Sequence, residues 1–97
     1  MRLFHRTQLP GADVLAAADA FFAALGMSTT ATALRGRAYS GPLGVARLTV
    51  RAEGGHYTFI EFQTDQIGES RLDKNVKRFF VEIHRRVEPS HALEAGY

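Results

Sequence analysis

Four histidines, His5, His56, His84 and His91, are the residues of this chain best suited to hold a metal ion or move a proton, and their spacing suits neither task. The four have no metal-ligand spacing among themselves, and His84 with Glu88, at i, i+4, straddles the end of a helical pattern. Cysteine is absent, which removes thiolate ligands, disulfides and a thiol nucleophile together. Ser28, Ser40 and Ser90 stand in turn or tail settings without a nucleophile elbow, and the glycines at 36, 41, 44, 54 and 55 do not form a phosphate-cradling loop that opens a helix. Glu61 is the one carboxylate inside an apolar strand. Burial would raise its pKa toward acid–base work, but an ion pair with Arg47 is its expected fate. The sequence therefore predicts no catalytic residue, no metal site and no cofactor, and a protein that is not an enzyme.

Cationic and aromatic side chains carry the remaining chemistry. The stretch "SRLDKNVKRFFVEIHRR", residues 70–86, holds six of the 12 Lys and Arg residues, with Phe79 and Phe80 in its middle. At 100° per residue, Leu72, Val76, Phe79, Phe80, Ile83 and Val87 fall within about 100° of arc, so both phenylalanines belong to a buried stripe and not to a base-stacking platform. Asp73 with Lys77 and Glu82 with Arg86 are acid-first i, i+4 pairs. Lys74, Arg78 and Arg85 remain on the far face with Arg71, either merely solvated or a surface for anions, and Val81 is an apolar residue among them.

The elements that position these groups follow from local patterning. "RLFHRTQ" alternates Leu3 and His5 against Phe4 and Arg6, a short strand that stops at Pro10-Gly11. A helix over residues 12–25 follows, capped by Gly26 in a left-handed conformation. "TTATALRGRAY", residues 29–39, is rich in β-branched residues and reads as one strand ended by Gly41-Pro42. "LGVARLTVRA" and "HYTFIEFQT" make a hairpin about Gly54-Gly55. Ser70, three residues before Asp73, starts the last helix as a variant capping box, and Pro89 stops it. The expected order is β-α-β-β-β-α: one two-layer α+β domain over residues 1–88, a four-stranded antiparallel sheet with two helices on one face, and a C-terminal tail over residues 89–97.

Two helices cover only one side of such a sheet, so its second face is the sharper functional signal. A three-residue "EGG" loop sets Ala52 against His56, Leu48 against Ile60 and Ala46 against Phe62 on the core side. It sets Arg51 against Tyr57, Thr49 against Phe59 and Arg47 against Glu61 on the other; a two-residue Gly-Gly turn would set Arg47 against Phe62 instead. Carried one strand further, the pattern sends Leu34 and Ala38 to the core and Arg35, Arg37 and Tyr39 to the outer face. Arg35, Arg37, Tyr39, Arg47, Arg51, Tyr57 and Phe59 are thus the candidate binding residues. Arg interleaved with aromatic rings serves single-stranded nucleic acid and equally the cores of protein interfaces.

Composition bounds the partner. With 97 residues, 45% hydrophobic and 23% charged, the chain has the make-up of an ordinary soluble domain. Formal net charge is +2, and the sequence pI of 9.4 owes much to Arg outnumbering Lys. No apolar run is long enough for a signal peptide or a membrane span, so the expectation is a cytoplasmic protein with no membrane partner. The element order loosely resembles the double-stranded RNA-binding domain, which implies a basic helix start where this chain has Arg71 and Lys74. It also resembles half of a helix-grip fold, which implies an apolar cavity under the last helix. The residues favour a non-catalytic module that associates with itself or docks on another protein through the second sheet face. RNA or single-stranded nucleic acid, bound there and by Lys74, Arg78 and Arg85, is the alternative, and a small apolar ligand between sheet and helix is a third.

Overall fold

The computed structural model describes residues 1–87; Pro89 and the expected tail lie outside them. The elements are β1 (Arg2–Thr7), α1 (Gly11–Ala24), β2 (Ser28–Ala33), β3 (Gly36–Gly41), β4 (Gly44–Glu53), β5 (Tyr57–Thr64) and α2 (Arg71–Val87). The class is α+β, as the patterning predicts, but the sheet has five antiparallel strands in the order β1-β5-β4-β3-β2, not four. The residues read as one strand over 29–39 turn back at Leu34-Arg35, and Gly36 opens β3 against Ala33. "STTATA" carries no hydrophobic alternation that would have announced a separate strand, and all six of its residues are exposed.

Both helices pack on the same face, α1 over β2, β3 and β4 and α2 over β1 and β5. α1 begins after Pro10, whose carbonyl accepts from the Asp13 and Val14 amides. It ends in a Schellman turn: the Met27 amide donates to the Phe22 carbonyl and the Gly26 amide to that of Ala23, with Gly26 at φ 79°. α2 starts as expected from Ser70, whose hydroxyl oxygen accepts from the Asp73 amide at 3.0 Å. The side chain of Asp73 differs from expectation. It is fully buried and accepts from Thr64 Oγ1 at 2.7 Å and Ser70 Oγ at 2.8 Å, tying the end of β5 to the helix start, while Lys77 turns to Glu69 at 3.3 Å. Glu82 and Arg86 pair as predicted, at 3.5 Å.

The core between the layers is aromatic. Phe22, Tyr39, Phe62 and Phe79 are fully buried, the Phe22 ring touching the other three and Phe62 touching Phe79, with Leu48, Ile60, Leu72, Val76 and Ile83 around them. Phe79 and Phe80 both lie in it, as the helix wheel requires. One close approach fixes the β3–β4 hairpin. Gly44, at φ 128°, passes so near the Asp65 and Gln66 side chains that a Cβ would sit 2.6 Å from each, and Asp65 Oδ1 accepts from the Val45 amide.

Candidate interaction surface

The β4–β5 hairpin does have a three-residue loop, but it consists of residues 54–56 and not of Glu53-Gly54-Gly55. Glu53 pairs with Tyr57, and Gly55 and His56 both take left-handed conformations at φ 76° and 67°. Moving the loop one residue shifts the register by two, so each side chain keeps its face and changes its partner. Leu48 stands opposite Phe62, Val50 opposite Ile60, Arg51 opposite Phe59, Thr49 opposite Glu61 and Arg47 opposite Gln63. The expected Arg47–Glu61 ion pair is absent; Glu61 pairs with Arg2 at 3.2 Å.

β3 reverses the expected parity. The hairpin through Pro42 and Leu43 pairs Gly41 with Gly44, Tyr39 with Ala46 and Arg37 with Leu48, which turns Tyr39 and Arg37 toward the helices. Tyr39 is 0% exposed, stacks on Phe22 at 4.8 Å between ring centroids, and donates its hydroxyl to Asp19 Oδ1 at 2.7 Å. Burial, first, and the Asp19 carboxylate, second, push that phenol well above its ordinary range. Arg37 Nε reaches the same carboxylate at 3.2 Å. Neither residue belongs to the second face. Ala38 takes the outward position there, Leu34 lies in the turn at 89% exposure instead of in the core, and Arg35 lies beside it in that turn.

What the second face does present is a ridge built by β1, β5 and β4. β1 lies beside β5 with Arg2, Phe4 and Arg6 opposite Gln63, Glu61 and Phe59. Sequence reasoning left these three β1 residues out of the site. Their alternation was legible in "RLFHRT", but the pairing of the first strand with the last was not. Phe59, although on the face away from the helices, is only 7% exposed because its own neighbours cover it. The guanidinium of Arg51 lies 4.4 Å from its ring centroid, that of Arg6 4.9 Å, and the Phe4 ring 5.4 Å. Glu53 holds both cations in place, with Oε1 2.8 Å from Arg6 Nε and Oε2 4.0 Å from Arg51. Phe4 and Tyr57 stay open at 52% and 43%, and Arg47 is exposed with no carboxylate partner among the described residues.

The basic face of α2 does not join this ridge. α2 buries Leu72, Val76, Phe79, Phe80 and Ile83 against the sheet's inner face, so the exposed Lys74, Arg78 and Arg85 lie on the opposite side of the molecule.

No three His, Asp or Glu side chains among the described residues could share a metal ion, and His91 lies outside that set. His5 and His84 line an open cleft of about 130 Å³ with Arg6, Thr7, Gln8 and Tyr57. Burial, and then the neighbouring His84, lower the His5 pKa, and its ring stacks on Phe80 at 5.1 Å. The sequence matches no protein-family model, and no curated protein shows significant similarity to it.

Proposed function

We propose that the protein is a small non-catalytic interaction module that docks on a partner protein through the second face of its sheet. One observation carries the reading: the Phe4 ring stands 52% exposed beside Phe59 on a face over which no described element packs, and Tyr57, 43% exposed, closes its end where the cleft with His84 begins. Exposed rings grouped on one face mark a contact site, and Phe, Tyr and Arg are the residues that anchor protein interfaces. The charge of the ridge narrows the partner. Arg2, Arg6, Arg47 and Arg51 against Glu53 and Glu61 leave it at +2, so face-to-face association of two copies would set like charges together. The complementary surface is apolar with an acidic rim. Nucleic acid is the weaker reading, because Glu53 and Glu61 engage three of the four arginines and repel phosphate. An apolar ligand between sheet and α2 is weaker still, since the rings of Phe22, Tyr39, Phe62 and Phe79 fill that space. The proposal extends to a cytoplasmic protein, which the cysteine-free composition supports; no helix among the described residues is long and apolar enough to cross a membrane.

An NMR titration of the full chain tests this. Acidic peptides carrying Leu or Phe should shift the amides of Phe4, Arg47, Thr49 and Tyr57, and Tyr57→Ala or Arg47→Glu should weaken that binding about tenfold or more. A mixed-sequence single-stranded oligonucleotide at low salt should leave those amides unmoved. Salt-sensitive binding of the oligonucleotide at the ridge, or a ridge indifferent to every peptide, would overturn the proposal.

A further inference from the structure

The sheet ends at β2, whose outer edge pairs with no described strand and whose six residues are exposed on both faces. Such an edge offers a row of backbone donors and acceptors to another strand, and proteins ordinarily guard it with charge, proline or a bulge. The two edges of this sheet differ in that protection. β1 carries Arg2 and Arg6, and antiparallel pairing of β1 with a second copy of itself about Phe4 would set Arg2 opposite Arg6. β2, "STTATA", has no charge and no proline. It is interrupted by the bulge between Thr29 and Ala31, where the Thr30 hydroxyl donates to the Ala38 carbonyl at 3.3 Å, and at its end Arg37 Nη1 donates to the Ala33 carbonyl at 2.8 Å; residues 31–33 keep a regular register.

We propose that two copies of this chain associate through β2, antiparallel about a two-fold axis near Thr32, to form a continuous ten-stranded sheet. Three features choose a second copy over an unrelated strand. The pairing is isologous and closes on itself, with Ala31 opposite Ala33 in both halves, and no like charges meet. It carries each Arg35 across to the start of the other copy's β2. There the carboxyl end of α1, the negative end of the helix dipole, has no basic residue in its last turn. The same step brings Leu34, at 89% exposure, from water to the neighbouring copy's strand. β1 against β2 would instead be head-to-tail and would not close. The run is short, so the dimer is weak, below the area of standard interfaces.

The inference is independent of what docks on the ridge, and one experiment separates the two. Sedimentation of the full chain from about 10 µM to about 1 mM, the range in which so short a contact populates, should show a monomer–dimer equilibrium. Thr32→Lys, an exposed position that brings two cations together at the axis, should weaken it about tenfold or more. Arg35→Glu should weaken it as well, while Tyr57→Ala should leave it unchanged. Circular dichroism melts of each variant confirm that the fold is intact. A chain that stays monomeric at 1 mM overturns the inference. So does a dimer that ignores Thr32→Lys and is lost with Tyr57→Ala, which would move self-association to the ridge.

Discussion

Asp73 is the buried residue whose role reaches furthest from its own element. Its carboxylate accepts one hydrogen bond from the Thr64 hydroxyl at the end of β5 and another from the Ser70 hydroxyl before α2. Asp73→Ala leaves both hydroxyls without that acceptor and should destabilise the fold by about 1–3 kcal/mol, more than the ~1 kcal/mol expected for Ser70→Ala, which removes the cap and one of the two donors to Asp73 but leaves Thr64 in place; urea melts of the pair give the order. His5 adds a pH dependence of known sign. Its pKa is lowered in the folded protein by burial and by His84, so the unfolded chain binds the proton first as pH falls. Stability should therefore be fully present above about pH 6.5 and decline as pH drops from there toward the lowered value. Melts at pH 7.5 and pH 5 should differ less in His5→Gln than in the wild type. The cap and the helix stripe were legible in the sequence, because both are local patterns. The bond from Thr64 to Asp73 and the inward turn of Tyr39 were not, because the first depends on how the loop after β5 folds back on the helix start and the second on the length of one tight turn.

Among the elements, α2 separates its faces most sharply. Phe79 is fully buried among Phe22, Phe62 and Phe80, and Phe79→Ala should cost about 3–5 kcal/mol, a large share of what a small domain possesses. Changing Lys74, Arg78 and Arg85 together to Gln should move stability by less than about 1 kcal/mol. Thermal melts decide between these outcomes, and the reverse order would mean that the helix is turned over. The hairpins show where pattern reading fails. In β4 and β5 the hydrophobic alternation fixed the faces even though the loop was placed one residue early, since a slip of two preserves them. In β3 the parity depends on the tight turn at Pro42 and Leu43, and "RAY" carries no alternation strong enough to overrule a wrong guess there. On the ridge, Glu53→Gln should loosen Arg6 and Arg51 over Phe59 with little change in stability. A rise in solvent exchange at the Arg Nε protons would register it.

At the scale of the whole molecule, the basic helix face and the aromatic ridge point in opposite directions, so the two groups of basic residues that the nucleic-acid alternative joined lie on two separate surfaces. Net charge of +2 hides both. Class and layering were legible because they follow from element order, whereas the strand count failed on a strand with no buried residue. The sheet order has a further consequence, for the time course of folding. β2 to β5 are consecutive hairpins that can zip from neighbours, but β1 pairs only with β5, so Leu3 must wait for Phe62 across almost the length of the chain. Closing so long a loop is entropically expensive and comes late. Leu3→Ala should therefore chiefly speed unfolding, while Val50→Ala in the hairpin should chiefly slow folding. Stopped-flow chevrons of the two variants would show which limb moves. A nascent chain that has not yet reached Tyr57 carries its first strand unpaired, with the Leu3 side chain destined for the core still open to solvent.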